Sequence, residues 1–439
     1  MLQTIRNAWK IADLRKKLLF TFAILLLYRL GNVIPVPFVN TTTMSAWFQQ
    51  STMQNSILGL FDMMSGSAFS RATLFALSIQ PYINASIIIQ LLTIAIPALE
   101  RLSKEGGADG KKKIERITRY TTVGLGLLMG WAYWMMLKNQ NAASMAQGGG
   151  QLLVETGILP ALSVILSFTA GSALVMWLGE QITEFGIGNG ISMILFANIV
   201  ARVPHMVMQL GKNLINDFAG YWYVLVVALV GIVGLIMLIV FVTNAERRIP
   251  VSYAKRVVGR KVYGGQNTFL PIKVNMSGVL PIIFAQSVAS LPATIAMFVG
   301  KASEDNPWYK YAWSNTSVVY LVFYMLLIIA FSYFYATIQY NPVEISNNLR
   351  KNGGFIPGYR PGRPTSDFIK RVINKITLFG ALFLGVVAIL PILTGMISSK
   401  FASMAIGGTS VIIVVGVALE TVQAIEAQML MRHYKGFLE

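Results

Sequence analysis

The chain reads as an all-α polytopic membrane protein that crosses the bilayer ten times. Three observations predict this. Of 439 residues, 55% are hydrophobic and only 12% charged, with a mean hydropathy of +0.60; a soluble domain carries about 25% charged residues. Ten apolar stretches are long enough to span, given that about 20 residues cross the hydrocarbon core. The 36 Lys/Arg are also unevenly spread. If the N-terminus is cytoplasmic, alternating topology puts 28 of them on the cytoplasmic side and 7 opposite, with Arg29 inside the first span. That asymmetry places both termini in the cytoplasm by the positive-inside rule.

The elements follow in order. Residues 1–17 carry Arg6, Lys10, Arg15, Lys16 and Lys17 and read as an amphipathic surface helix. No small-residue cleavage site follows the first span, 18–34, so a retained helix is expected rather than a removable signal peptide. The apolar stretch 56–70 holds Gly59, Ser65, Gly66 and Ser67 and is too short to span; it reads as a re-entrant half-helix. Spans at 74–96, 119–137, 158–178 and 187–204 complete a first half, with Gly186 to Gly190 as a tight turn between two helices. Spans at 221–243, 276–299, 316–337, 376–397 and 404–425 form the second. Five spans lie on each side of the 205–220 connection, which divides the chain into 1–215 and 216–439. An odd number per half requires any two similar halves to be inverted. The second helix of each half carries proline among small, polar and β-branched residues, Pro81 to Ser86 and Pro281 to Ser287.

Two loops, 244–275 and 336–375, each hold seven Lys/Arg and are rich in Gly, Pro and Tyr. Loops of that size predict a docking platform for something large on one side of the membrane. For the run Lys111 to Lys113 the expected role is contact with anionic lipid, at about 1 kcal/mol per residue.

Several function classes are disfavoured. The chain has no cysteine, so disulfides and Cys-ligated metals are excluded. His205 and His433 are far apart in sequence and make a shared metal site improbable. The net charge of +18 would suggest nucleic acid in a soluble protein, but here it first means positive-inside loops. Gly106 to Lys112 has the wrong spacing for a P-loop and no following Ser/Thr. No catalytic constellation and no cofactor site is visible. Ionisable residues within spans are few, Arg29, Glu180, Glu184, Glu420 and Glu426, and the glutamates sit toward helix ends. A nearly charge-free midplane argues against ion-driven pumping. A secondary transporter of a small solute stays open as the alternative, and a membrane-embedded enzyme as a third reading.

An ordered set of motifs resembles the SecY family, whose members form the central subunit of the bacterial protein-conducting channel. The set runs from Ile34-Pro35-Val36-Pro37 through Ile79-Gln80-Pro81-Tyr82-Ile83-Asn84-Ala85-Ser86 and Gly186-Ile187-Gly188-Asn189-Gly190. It continues with Glu246-Arg247-Arg248-Ile249-Pro250, Asn341-Pro342-Val343-Glu344 and Gly354-Phe355-Ile356-Pro357-Gly358-Tyr359-Arg360-Pro361-Gly362, and ends at Arg432-His433-Tyr434-Lys435-Gly436. The stretches 138–157 and 300–315 match least.

The resemblance implies a clamshell of two inverted five-helix halves around an hourglass pore. It implies a waist of Ile79, Ile83, Ile191, Leu195, Ile283 and Ile413, and a plug containing Leu60, Phe61, Met64, Ser65 and Gly66. Ile79 with Ile83, and Ile191 with Leu195, are four apart and so share a helix face. A narrow apolar ring dewets and stops ions, yet yields to an extended chain of any sequence. Where family members often carry Gly-Gly, Ser67 follows Gly66 here. The resemblance further implies a lateral gate lined by Asn84, Ile87, Gln90, Thr93, Asn275 and Gln286, with Asn84 at a position often held by Ser. It implies partner docking by Arg256, Arg260, Lys261 and Arg360, and partners of several kinds: the small membrane subunits SecE and SecG, the SecA motor ATPase, the ribosome, signal peptides and nascent secretory chains, and anionic lipids. The bacterial cytoplasmic membrane is the expected location.

Overall fold

The computed structural model describes residues 2–48, 57–104, 106–146, 150–216, 218–253, 256–258, 261–263, 267–276, 278–298, 317–397 and 408–435. The N-terminal part holds α1 (Leu2–Lys10), α2 (Ala12–Gly31), α3 (Thr41–Phe48), α4 (Ile57–Ser65), α5 (Gln80–Ala95), α6 (Pro97–Lys104), α7 (Gly107–Ala146), α8 (Ile158–Phe185) and α9 (Gly190–Asn216). It continues with α10 (Phe218–Asn244), β1 (Glu246–Tyr253), β2 (Arg256–Val258), β3 (Lys261–Tyr263), β4 (Asn267–Lys273) and α11 (Leu280–Phe298). The last elements are α12 (Val318–Gln339), α13 (Pro342–Lys351), β5 (Gly354–Phe355), α14 (Arg363–Ile397) and α15 (Gly408–Lys435).

Every predicted apolar stretch carries a helix. Among the described residues, five helical runs are long and apolar enough to cross a membrane: Ile158–Phe185, Leu225–Asn244, Val318–Lys351, Arg363–Thr394 and Thr409–Leu430. A sixth results if the pair Gln80–Ala95 and Pro97–Ser103, bent by 104°, counts as one span. The bend has a local cause. Pro97 disfavours the helical region for the residue before it, and Ile96 sits in extended backbone at φ −107°, ψ 113°. At the other end of α5, Pro81 occupies the first turn, where its missing N–H costs no hydrogen bond.

The contacts divide the chain into two compact units. One comprises Met1–Tyr223, Ser290–Tyr320 and Val417–Glu439; the other Val224–Ala289 and Leu321–Gly416. In the first, Met44, Phe48, Phe69, Leu137 and Phe168 belong to one buried apolar cluster. Rings run through it edge to face, with centroids 5.6 Å apart for Phe48–Phe69, 4.6 Å for Phe69–Tyr133 and 4.7 Å for Tyr133–Phe168. A smaller cluster joins Ala8 of α1, Leu14 of α2, Ile187 of the α8–α9 turn and Ile425 of α15. That turn is as tight as the sequence predicts. Gly190 packs so closely on Gly179 that a Cβ would run into the Gly179 carbonyl.

The second unit shows what the basic loops are. Region 244–275 reads from the sequence as a loop, but it holds four strands. β1 pairs antiparallel with β4 on one side, from Glu246↔Lys273 to Ser252↔Asn267, and with β5 on the other. Ile249, Val251 and Ile272 turn inward onto Ile356, Ile369 and Ile373. The two basic regions therefore share one apolar core. The alternation that marks β1 is only three residues long and is interrupted by Pro250, too short a signal to predict a strand. α13 starts at a well-formed cap: Asn341 Oδ1 accepts from the Val343 N–H at 3.1 Å and the Glu344 N–H at 3.4 Å, with Pro342 at the first position.

Candidate functional site

The site is built around the end of the short helix α4. Gly66 and Ser67 both take positive φ, 67° and 68°. The Gly66 N–H donates to the Met63 carbonyl at 3.2 Å and the Ser67 N–H to the Asp62 carbonyl at 2.9 Å. This pair of bonds is a Schellman motif and terminates the helix. Ser67 adopts the left-handed conformation without glycine's freedom, which costs about 1 kcal/mol or more.

The next three carbonyls are capped from other helices. Asn198 Nδ2 of α9 donates to the Met64 carbonyl at 2.8 Å. Asn32 Nδ2, just past α2, reaches the Ser65 carbonyl at 3.5 Å, and Arg29 Nη1 of α2 reaches the Gly66 carbonyl at 3.5 Å. Asn198 Nδ2 also donates to Tyr28 Oη at 2.8 Å and lies 3.3 Å from Ser78 Oγ, while Tyr28 Oη and Ser78 Oγ are 3.2 Å apart. Asn198, Tyr28, Ser78 and Met64 are all buried. Buried acceptors at a helix end need such partners, because leaving one unmet costs about 1–3 kcal/mol. Among the described residues, the Oδ1 atoms of Asn198 and Asn32 have no hydrogen-bond partner.

A charged pair holds the same helix from a second side. Asp62 Oδ1 accepts from the Ser70 N–H at 2.8 Å, and Asp62 Oδ2 lies 3.4 Å from Arg202 Nη1 of α9. Asn198 and Arg202 are one turn apart on α9, so one face of that helix supplies both contacts. Ser65 Oγ donates to the Asp62 carbonyl and accepts from the Phe69 N–H, and Tyr133 Oη donates to the Phe69 carbonyl at 2.6 Å.

On one side of α4 lies an apolar cavity of about 60 Å³, lined by Leu58, Phe61, Met64, Ile79, Tyr133 and Leu195 among others. Another opening, a cleft of about 910 Å³, is lined by Arg29, Asn32, Asp62, Arg71, Arg202 and His205 among others. The short helix thus has an apolar side over Ile79 and Leu195 and a polar side along a wide cleft.

The sequence-predicted residues fall as follows. Ile79, Ile83 and Leu195 are buried and Ile191 half-buried. Ile79 and Ile191 converge on Gly179 of α8, within 3.5 and 3.7 Å of the point a Cβ would occupy. Ile283 of α11 and Ile413 of α15 are buried in the second unit. Phe61, Met64, Ser65 and Gly66 belong to α4 and its C-terminal turn; Leu60 lies in α4 too, its side chain outside the described set. On α5, Asn84 Nδ2 lies 4.0 Å from the Met129 sulfur, Ile87 is buried, Gln90 is half-buried, and Thr93 Oγ1 donates to the Ile89 carbonyl of its own helix at 2.7 Å. Asn275 is buried beside Ser332 and Thr377, and Gln286 is buried on α11.

Among the docking candidates, Arg256 lies in β2 and Lys261 in β3, and these strands pair as a hairpin with Val258 opposite Lys261. Arg260 lies outside the described residues. Arg360 is exposed on a fixed turn. Its carbonyl accepts from Thr365 Oγ1 at 2.8 Å, the Gly362 carbonyl accepts from Ser346 Oγ at 2.8 Å, and the Tyr359 ring stacks on Phe368 at 4.3 Å.

Sequence reasoning passed over Asp62, Asn198 and Arg202. The signal was present: Asn and Arg four apart on the otherwise apolar run Met193 to Val203, an expensive pattern within a membrane helix. Glu180, predicted to be paired or solvated at a helix end, is bonded to Arg119 Nε at 2.8 Å.

Comparison with known proteins adds an independent line. The family model for SecY matches residues 73–422. The chain is 44% identical to the protein translocase subunit SecY of Streptomyces galbus, with both chains covered in full. It is 41% identical to that of Corynebacterium glutamicum, again with full coverage of both. A solved structure described as a protein conducting channel superposes with a TM-score of 0.66 at 17% identity, over 94% of this chain and 92% of the other. Sec61 in a canine ribosome–channel complex gives a TM-score of 0.62 at 17% identity over the same shares. At such identity the two structures speak to the fold alone.

Proposed function

The chain belongs to the SecY family, and from that premise we infer how its parts divide the work. It is a multi-pass membrane protein and a channel subunit of the protein translocase, not an enzyme. It passes unfolded secretory polypeptides across the membrane and releases hydrophobic segments sideways into lipid. The rival reading, a small-solute transporter, is not favoured: none of the relatives or neighbours above is described as one.

The finer reading has ten spans in two inverted five-helix halves, 1–215 and 216–439, closing as a clamshell. Ile79, Ile83, Ile191, Leu195, Ile283 and Ile413 form its apolar waist, α4 is the plug, and α5 and α11 form the lateral gate with Asn84, Ile87, Gln90, Thr93, Asn275 and Gln286 along it. One observation carries this reading: α4 is a short helix tethered over an apolar cavity lined by Ile79 and Leu195. A helix too short to span, held by its end carbonyls, is a seal that detaches without unfolding any span.

The folded basic platform supports docking on the cytoplasmic side, with both termini on that side of the bacterial cytoplasmic membrane. Arg360 stands on its fixed turn and Arg256 and Lys261 on the paired strands β2 and β3; with Arg260, they are where the SecA motor or a translating ribosome would bind. Energy comes from these partners, since the sequence holds no nucleotide-binding motif. SecE and SecG would brace the clamshell, signal peptides and nascent chains would occupy the pore and gate, and anionic lipid would meet the remaining loop charge.

The test uses the absence of native cysteine. The variant Ile283→Cys is assembled with its small subunits and motor, and a precursor carrying a cross-linker is stalled midway. Cross-linking that needs both ATP and a signal sequence is expected. Silence at 283 and at neighbouring positions, with insertion confirmed, would sink the waist assignment.

A further inference from the structure

We propose that Asn198 is a positioning residue that couples the seating of α4 to the root of the gate helix α5. The inference rests on the reading of α4 as the movable seal and adds the device that reports its position. Asn198 Nδ2 has two protons and three acceptors: the Met64 carbonyl at 2.8 Å, Tyr28 Oη at 2.8 Å and Ser78 Oγ at 3.3 Å. Met64 belongs to α4, Tyr28 to α2, and Ser78 immediately precedes Ile79, from which α5 starts. One side-chain amide therefore touches the seal, the first span and the residue ahead of the waist.

Its hydrogen-bonding is under-supplied in a way that makes the arrangement two-valued. While α4 is seated, the Met64 carbonyl and Tyr28 Oη take the two short bonds and Ser78 holds the long third place. When α4 leaves, the N–H that Met64 had accepted is released to Ser78 Oγ. Ser78 sits at φ 49°, outside the backbone range ordinary residues prefer, so the start of α5 is held in a conformation that depends on its partners. Asn198 Oδ1 has no partner among the described residues in the seated state and gains freedom to find one after the switch. Arg202, one turn on, lies in ion-pair range of Asp62 of the same half-helix, so the release of α4 breaks both contacts from one face of α9. Coupling is reciprocal by linkage. A signal segment that shifts α5 must therefore weaken the hold on Met64, and loss of that hold must ease movement of α5.

Leu58 is buried on the cavity side of α4 and serves as the reporter. The variant Leu58→Cys is placed in the complex with its small subunits and motor, in sealed vesicles, and labelled with a membrane-impermeant maleimide. In the otherwise native channel, labelling is slow at rest and rises when a signal-bearing precursor engages. In Asn198→Leu, labelling at rest should rise about fivefold or more, the low end of common coupling energies, and the precursor should add little. In Ser78→Ala, which keeps the Met64 bond, labelling at rest should stay low and the rise on engagement should shrink. If Asn198→Leu does not accumulate, Asn198→Ser carries the same expectation. Labelling in Asn198→Leu and Ser78→Ala that matches the native pattern at rest and on engagement overturns the proposal. If the thiol introduced by Leu58→Cys is never labelled even when the native channel engages a precursor, the reading of α4 as a movable seal fails, and the coupling fails with it.

Discussion

If α4 is the seal proposed above, replacing Gly66 by alanine should loosen it by an amount the geometry sets. Gly66 sits at φ 67°, and an added Cβ would lie 2.9 Å from Asn198 Oδ1, 3.0 Å from Arg29 Nη1 and 3.2 Å from the Asn198 Cα. The left-handed conformation alone costs a non-glycine residue about 1–2 kcal/mol. The Arg29 side chain can move aside, but the α9 backbone cannot, so α4 must shift by a few tenths of an ångström. That shift weakens the Arg29 contact to the Gly66 carbonyl, already long at 3.5 Å. Together these effects amount to about 2 kcal/mol, or about thirtyfold in the balance between seated and released half-helix. Ser67→Gly should act in the opposite sense, because it relieves the strain at φ 68°, by about 1 kcal/mol or about fivefold. The assay is ion leak through the reconstituted complex, together with translocation of a precursor whose signal sequence is defective. Gly66→Ala should raise both and Ser67→Gly should lower both, at equal amounts of assembled channel. If Gly66→Ala leaves leak and precursor discrimination unchanged, the backbone of this turn is not energetically tied to the closed state and the reasoning is refuted.

Two further expectations concern packing and docking. Gly190→Ala should reduce the amount of assembled protein sharply, because its Cβ would run into the Gly179 carbonyl with no room for backbone to move; Gly179→Ala, whose Cβ would meet Ile79 and Ile194 at an ordinary 3.5 Å, should accumulate normally, and equal abundance of the two would contradict the close approach of α8 and α9. Arg360→Ala should weaken motor or ribosome binding about tenfold, the worth of one charge-assisted contact, and leave ion leak unchanged; unaltered binding of both partners would remove Arg360 from the docking surface.

The helices were legible in the sequence because long apolar runs are unambiguous over about 20 residues. The tight turn at Gly186 to Gly190 was legible too, since glycine spacing between two apolar runs leaves few alternatives. The basic platform was not. Its strands are short, contain Pro250 and Pro271, and show inward alternation only at Ile249 and Val251. What builds it is long-range pairing, Ser252 with Phe355 and Tyr253 with Gly354, across about a hundred intervening residues. The half-helix was predicted at 56–70; α4 itself ends at Ser65, where the left-handed pair Gly66 and Ser67 stops it. Its tethers were missed for a related reason. Tyr28, Asp62, Asn198 and Arg202 look unrelated along the chain, and only folding brings an α2 tyrosine and two α9 side chains to one helix end.

On the proposed reading of α4 as the seal, two kinds of contact have different duties. The cavity side, with Leu58, Phe61 and Met64 facing Ile79 and Leu195, excludes water and needs no particular geometry. Such a face blocks ions but cannot tell one displacement from another. The polar tethers supply the discrimination, because each hydrogen bond is met or broken over a short distance. In membranes such contacts are worth about 0.6–2 kcal/mol each. Three capped carbonyls then hold α4 by about 2–6 kcal/mol. Moving a two-state population from 1:99 to 99:1 takes about 5.5 kcal/mol, so a hold in this range is one that a single well-bound signal segment can overcome. The oxygens of Asn198 and Asn32, which pack against the tethered turn with no hydrogen-bond partner among the described residues, and the strained backbone at Ser67 within it all lower the stability of the seated state. On the proposed reading, this keeps the seal near the point where a substrate decides its position.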